Sequence, residues 1–308
     1  MRSLTALLDK AIRYRRNLTL GSDAMRLVNG QGDGLDGLLI DRYNKHLHVQ
    51  ILSGHWQQQL DEICSLLTAA MPVEYLIVKS RRGLEAKEEV IIGSNPRTVV
   101  EEQGIKFEVN LNDGLNCGLF LDMRANRRVV GQASVGKKVF NGFSYTCSFG
   151  VHARLGGARE VINTDISRKV LERGRENYQL NALSVAPGEF IKANSVSFLQ
   201  RAFKKGNTFD MIILDPPSFA RHEGGVFQAK RDFPKLIALA VAVLNPRGHL
   251  LVTTNYSGIS HADLERVLAK GLNGRRVARI QRAGQDEDFT GSNSFKESYL
   301  VGLWVRFL

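Results

Sequence analysis

Lys137-Lys138-Val139-Phe140-Asn141-Gly142-Phe143-Ser144-Tyr145-Thr146-Cys147-Ser148-Phe149-Gly150 is the stretch that sets the fold. An apolar run from Val139 feeds a short polar turn, and a turn of that kind at a strand end presents backbone amides to a nucleotide-like ligand. The next apolar run, Glu160 to Thr164, closes on Asp165. An acid at the tip of the second strand of a nucleotide-binding α/β unit is placed to accept hydrogen bonds from ribose hydroxyls. The turn contains no Gly-x-Gly-x-x-Gly, so no diphosphate cradle is written here. That argues against a dinucleotide oxidoreductase.

Outward from the turn, helix and strand patterns alternate. Ser148 to Leu155 reads as a short helix ended by Gly156-Gly157, and Ser167 caps a helix reaching to about Leu183. Glu189 to Lys192 is a third strand, Phe198 to Phe203 lies in a helix, and Phe209 to Leu214 is a fourth strand closing on Asp215-Pro216-Pro217. Gln228 to Leu244, His249 to Thr253 and His261 to Leu272 continue the alternation, and Val277 to Gln281 and Tyr299 to Val305 read as closing strands. The pattern predicts an α/β, Rossmann-like, mostly parallel sheet with an antiparallel last strand, and ligands at the C-terminal strand edge. The Phe143 turn, Asp165 and the Asp-Pro-Pro segment together read as the site of a class I S-adenosylmethionine (SAM) methyltransferase.

Upstream, Ser3 to Arg16 places Leu4, Leu7, Leu8, Ala11 and Ile12 on one helical face and Lys10, Arg13 and Arg16 on the other. From Met25 to Tyr43, Gly and Asp punctuate short apolar runs, as in strands joined by tight turns. Leu47 to Ile51, Glu74 to Val78, Val90 to Ile92, Thr98 to Val100 and Lys106 to Val109 read as strands, and Trp56 to Met71 as an amphipathic helix. The resulting division is a basic helix over 1–23, a small α/β domain over 24–110 and the methyltransferase domain over 111–308. The small domain shows no acid, base or metal constellation. Substrate positioning and a purely structural role are both open for it. Gly118-Leu119-Phe120-Leu121-Asp122 then leads into a helix starting near Asp122, a capping position, with Arg124, Arg127 and Arg128 expected to make a basic, substrate-binding surface.

Composition narrows the partners. Forty-two basic residues against 31 acidic give a net charge of +11, spread over small clusters such as Arg13 to Arg16, Lys204-Lys205 and Arg275-Arg276. Such a surplus suits a polyanion, because lysine and arginine that neutralise phosphates release condensed counterions. A solvated surface is the bland alternative. Cys64, Cys117 and Cys147 lie far apart without Cys-x-x-Cys spacing, which argues against a disulfide framework and a zinc site; no metal is expected. No run of eighteen uncharged apolar residues occurs and the start is unlike a secretory signal, so a cytosolic protein without membrane association is expected; a homodimer is allowed for.

The chemistry follows from four strand ends. Phe143, Ser144, Tyr145, Thr146 and Ser148 could surround the methionine part of SAM, Asp165 with Ile166 could hold its ribose side, and Asn194 could meet the adenine amino group or be an ordinary turn residue. Pro216 and Pro217 fix backbone angles and remove amide donors where the strand end faces the transferring methyl. That leaves carbonyl oxygens and the Asp215 carboxylate to position a substrate base, with Phe219 placed to stack on it.

Gly118-Leu-Phe-Leu-Asp-Met-Arg124, Phe143-Ser-Tyr-Thr146, Leu155-Gly-Gly-Ala-Arg159, Asp165-Ile-Ser167 and Asp215-Pro-Pro-Ser-Phe219, in that order, resemble the bacterial large-subunit (23S) ribosomal RNA methyltransferases, a group with cytosine-C5 and guanine-N7 members. The resemblance runs from about Leu111 to the C-terminus, and Gly32 to Tyr43 is similar to the group's small domain. It implies SAM contacts from the Phe143 turn, Asp165, Asn194 and Asp215, and a base of ribosomal RNA as substrate. Two departures stand out. Cytosine-C5 members carry a nucleophilic cysteine just after strand five, where this chain reads Val252-Thr-Thr-Asn-Tyr-Ser-Gly258; Cys147, at a position usually glycine, reads as a packed small residue. Those members also begin with a small RNA-binding barrel, where this sequence has a short basic helix ahead of Met25. Guanine N7 needs only alignment of its lone pair, and is favoured. Methylation of a small molecule or protein side chain, and a non-catalytic RNA-binding factor with a degenerate site, are the competing readings.

Overall fold

The computed structural model describes residues 3–82, 85–114, 116–217, 219–222, 225–256, 258–291 and 300–308, with backbone only at 81–82, 85–86, 219–222 and 225–230. It divides into two compact units, Met1–Arg124 with Gln285–Ser298, and Ala125–Gly284 with Tyr299–Leu308.

In the first unit, α1 (Leu4–Arg16) is opened by the Ser3 side chain, which accepts from the Ala6 amide. There follow β1 (Ala24–Asn29), β2 (Leu38–Tyr43), β3 (His46–Ile51), α2 (Leu60–Ala70), β4 (Tyr75–Arg82) and β5 (Glu85–Ile92), then a separate hairpin of β6 (Arg97–Glu102) and β7 (Ile105–Asn110). The five strands form one sheet in the order β1-β2-β3-β4-β5, antiparallel except for the β3/β4 pair. Its core joins Leu4, Leu8 and Ile12 of α1 and Ile63 and Leu67 of α2 to Ile40, Val49 and Val78. The expected N-terminal helix is therefore part of this unit's core.

Strand alternation sends every second residue to the opposite face. Asp41, His48 and Lys79 are buried there. Arg26 Nε donates to Asp41 Oδ1 at 2.5 Å, His48 Nδ1 lies 3.6 Å from Cys117 Sγ, and Lys79 donates to the Gly114 carbonyl. This polar layer was not legible in the sequence, because each pair joins residues far apart in the chain.

The second unit carries α3 (Arg124–Gln132), β8 (Lys138–Gly142), α4 (Ser148–Leu155), β9 (Glu160–Asp165), α5 (Arg168–Leu180), β10 (Phe190–Lys192), α6 (Ser195–Lys204) and β11 (Phe209–Leu214). A hairpin of β12 (Phe219–His222) and β13 (Gly225–Gln228) precedes α7 (Ala229–Ala242), β14 (Leu244–Thr254), α8 (His261–Gly271), β15 (Val277–Arg282) and β16 (Val301–Phe307). Seven strands are ordered β10-β9-β8-β11-β14-β16-β15; the first five run parallel and β16 is antiparallel to both neighbours. This is the expected α/β architecture with its antiparallel last strand. The β12–β13 hairpin was not anticipated, and Tyr299, expected to open the last strand, lies outside the described residues.

One sheet face is covered by a core of Leu199, Phe233, Leu236, Ile237, Leu264 and Leu268 against Phe140, Ile212, Leu250, Val252 and Val305. On the other, α4 lies close on β9 because residue 150 is glycine; a Cβ there would meet Asn163 Oδ1 at 2.3 Å. Asn141 Nδ2 donates to that same Oδ1 at 2.8 Å, and Asn163 Nδ2 donates to the Tyr178 hydroxyl at 3.2 Å, so the buried amides under α4 are satisfied.

Two expectations need correction. The boundary does not fall near residue 110, since the first unit reaches Arg124 and regains the chain at Gln285. Nor do the three arginines form a basic surface. Arg124 and Arg127 are 1 % and 0 % exposed. Arg124 donates to Asp288 Oδ1 and Oδ2 at 3.2 and 3.0 Å and to Asp286 Oδ2 at 3.2 Å, with Glu102 at 3.7 Å. A guanidinium carried inside needs such carboxylates to offset its lost hydration. Arg128 alone is half-buried.

Candidate active site

Register places the chemistry at one edge of the seven-stranded sheet. Gly142 pairs with Thr164 on one side and Leu214 on the other, Asp165 pairs with Lys192, and Leu214 pairs with Val252. Phe143, Asp165, Ala193 with Asn194, and Asp215 therefore all leave neighbouring strands at the C-terminal edge. Asp165 and Asp215 flank β8 and lie about 10 Å apart by strand spacing.

The turn after β8 takes an uncommon backbone. Phe143, Tyr145 and Cys147 have φ of 58°, 48° and 60°, the left-handed region that glycine adopts freely and other residues avoid. Its amides are pinned from within. Phe143 N donates to Ser195 Oγ at 2.9 Å and Tyr145 N to Asp165 Oδ2 at 3.0 Å. Ser144 N donates to the Thr164 carbonyl at 2.9 Å and Cys147 N to the Ser144 carbonyl at 2.8 Å. Expectation and structure differ here: these four N–H groups hold the turn's strained shape and are not presented to a ligand. Ser144 and Thr146 are 6 % and 1 % exposed, and Thr146 gives its carbonyl to Asn177 Nδ2 at 3.0 Å. The faces left for a ligand belong to half-buried Phe143, Tyr145 and Ser148.

Asp165 serves the turn and the edge together. Oδ2 accepts the Tyr145 amide and Oδ1 accepts the Ser167 amide at 2.9 Å, which leaves further lone pairs on both oxygens. Burial pushes its carboxyl above the usual carboxylate range, and the amides of Ser167, Tyr145 and Ile166 offset part of that. Ile166, beside it, is 43 % exposed, an apolar surface on the edge. Asn194 is the N-cap of α6, accepting the Ser197 amide on Oδ1 at 3.1 Å, so capping accounts for its residue type, with one carbonyl lone pair to spare.

At β11, Asp215 Oδ1 accepts from Thr253 Oγ1 of β14 at 2.7 Å. Pro216 is buried and Pro217 exposed. The Phe219 side chain, assigned to base stacking, lies outside the described residues, as does Ser218. Sequence reasoning missed Ser195, Thr164, Asn177 and Thr253, which fix the turn and Asp215. The first two also bond each other, Thr164 Oγ1 and Ser195 Oγ lying 2.9 Å apart. Ser195 stands next to Asn194, but nothing local marks it as a partner of Phe143. Among the described residues, no group of three His, Cys, Asp or Glu side chains could hold a metal.

The family model for S-adenosylmethionine-dependent methyltransferases matches residues 31–289. The chain belongs to that family. Among curated relatives, the methyltransferase is 36 % identical to the ribosomal RNA large subunit methyltransferase I of Tolumonas auensis, over 92 % of this chain and 74 % of that one. It is 35 % identical to the protein of the same name from Aeromonas salmonicida, over 93 % and 75 % of the two chains. Among solved structures, the SMU.776 methyltransferase complexed with SAH superposes with a TM-score of 0.89 at 27 % identity, covering 99 % of this chain and 83 % of that one. A SAM-dependent methyltransferase from Streptococcus mutans gives 0.86 at 25 % identity, covering 99 % and 82 %.

SAM is thus the methyltransferase's cofactor, and the edge fits it. A ribose diol needs an acceptor pair, which Asp165 retains, and a purine needs an apolar surface beside it, which Ile166 supplies. No diphosphate cradle is required, since SAM carries no phosphate.

Proposed function

We propose that this methyltransferase modifies a base of large-subunit ribosomal RNA, at guanine N7 in preference to cytosine C5. The relatives' printed names and the +11 charge support RNA. The state of the cysteines supports the choice of atom, and it carries the reading.

C5 methylation requires a thiolate that adds to the pyrimidine ring. All three cysteines are buried thiols, none of them in a disulfide. Cys147 is fully buried and burial pushes its thiol well up, so it stays protonated. Cys117 sits beside His48, but burial first, then Lys79 and Arg26, holds that imidazole down at about 3; it carries no charge at neutral pH to stabilise a thiolate. After β14 the chain reads Asn255-Tyr256-Ser257-Gly258, with no cysteine. A purine N7 needs no covalent adduct, because its lone pair lies in the ring plane and attacks directly once aligned.

In this reading Asp165 accepts the ribose hydroxyls and Phe143, Tyr145 and Ser148 border the methionine end, with Asn194 and Ile166 at the adenine. SAM supplies a methyl group on a positively charged sulfur. Asp215, held by Thr253, accepts a hydrogen bond from the base and fixes its plane, as a guanine N1–H or amino group would offer. Pro216 and Pro217 present carbonyl oxygens and no N–H, and they keep that strand end from shifting as the base enters.

Mass spectrometry of rRNA from cells with and without the gene reads site and atom together. A 7-methylguanosine missing from the deletion strain is expected; a missing 5-methylcytidine would overturn the choice of atom, and unchanged rRNA would overturn the RNA substrate. Asp215→Ala is expected to lower methyl transfer by about 100-fold or more while SAH binding falls less, as for loss of a group acting mainly in the transition state.

A further inference from the structure

We infer that the face of β14, β16 and β15 carrying Arg306 and Arg279 is a docking surface for the phosphate backbone of RNA, an inference that rests on the RNA substrate proposed above. Register sets Arg279 directly opposite Arg306, and Arg306 directly opposite His249. Side chains opposite each other on antiparallel strands share a face with Cβ atoms about 5 Å apart. Two arginines thus stand side by side in a row that runs across three strands.

Like charges in that arrangement destabilise a sheet unless something neutralises them. Both arginines are exposed, and among the described residues neither has an ion-pair partner. Acids at that end of the sheet are already engaged, Asp210 with Arg159 at 3.0 Å and Glu160 with Lys138 at 3.0 Å. Lys137 adds a third cation nearby. Burial first, then Lys137 and Arg306, lowers the His249 imidazole to about 4, so His249 brings no further charge at neutral pH.

Protection of a sheet edge is the competing explanation, since exposed edge strands are often charged to block pairing with other chains. That accounts for Arg279 and for Arg282 on β15, the latter already paired with Glu265 at 3.5 Å. It does not account for Arg306, which lies on the inner strand β16. A polyanion is the partner that turns an unmatched arginine pair into a favourable contact, because the guanidinium fork matches phosphate oxygens.

Position argues for a polymer. His249 is five residues before Thr254, where β14 ends at the cofactor edge, a rise of about 17 Å. A single nucleotide at the edge would not span that distance, whereas a folded RNA presents several phosphates across it.

The test uses the full chain and deproteinised large-subunit rRNA from cells lacking the gene. Arg279→Gln/Arg306→Gln is expected to weaken rRNA binding on the order of tenfold near physiological salt and to reduce the slope of log affinity against log salt by about 1 to 2. KM for rRNA rises while kcat and SAH binding hold and the melting temperature stays level or rises, since the like-charge pair is gone. Arg279→Lys/Arg306→Lys, which keeps the charge, is expected to retain most of the affinity. Unchanged affinity and slope in the glutamine variant, with wild type methylating rRNA, would overturn the docking face and leave the proposed function standing. Wild type that binds no rRNA, or methylates a protein instead, overturns both.

Discussion

Cys147 illustrates how packing bears on the proposed chemistry. Its left-handed backbone and complete burial make it a packing residue, and its neighbour explains the fit: a Cβ on Gly174 of α5 would come within 2.5 Å of Cys147 Sγ. Gly174→Ala is therefore expected to destabilise the protein by about 1–3 kcal/mol, as overpacking does, while Cys147→Gly/Gly174→Ala regains more than half of that; paired urea denaturation curves read both. Ser195 is the second telling residue. Removing its hydroxyl takes away the acceptor of the part-buried Phe143 amide, a cost of about 1 kcal/mol. Ser195→Ala should weaken SAH binding about five- to tenfold by calorimetry, and undiminished affinity would show that the turn does not need this pin.

At the scale of elements, both units bury titratable groups. His48 on β3 and His152 on α4 are 1 % and 5 % exposed, and burial before all else lowers both imidazoles to about 3. The native state then binds fewer protons than the unfolded chain between about pH 3 and 6.5. Stability is fully present above about pH 6.5 and is lost as pH falls through that window, by at most about 1.4 kcal/mol per pH unit for each imidazole. Denaturation curves at pH 7, 6 and 5 should show the decline, and replacing His48 with Gln should flatten it. The same elements show what pattern reading can reach. Short apolar runs bounded by turn residues located β8, β9, β11 and α4 nearly to the residue, because these elements are largely buried. The β12–β13 hairpin has no such signature, and β14 began five residues earlier than its apolar run, in a segment held by the Leu244–Phe209 pair and by side chains from elsewhere in the chain, Arg275 on the Leu244 and Asn245 carbonyls and Asp210 on the Asn245 side-chain amide.

For the molecule as a whole, charge is divided between structure and surface in a way composition cannot show. Arg124, Arg26 and Arg15 count toward the +11, yet all three are buried in the first unit. They bind a segment that arrives from the far end of the chain: Arg124 takes the Asp288 carboxylate, the Arg26 amide donates to Asp288 Oδ2 at 2.9 Å, and Arg15 donates to the Asp288 carbonyl at 2.7 Å. Arg124→Ala would leave Asp288 and Glu102 buried without that counter-charge, and a loss of about 3–5 kcal/mol is expected. Hydrogen exchange at residues 285–291 should rise in parallel; protection equal to wild type would mean Arg124 does not anchor the segment.

The sequence alone determined the α/β class, the strand ends that carry the site and the lack of a suitably placed cysteine, since strand periodicity, turn residues and residue identity are local properties. It could not show that the Phe143 turn spends its amides on Ser195, Thr164 and Asp165, that Arg124 is interior, or that Arg279 and Arg306 stand side by side. Each of those depends on which distant residues the fold brings within hydrogen-bonding or Coulombic range, and only strand order and register decide that.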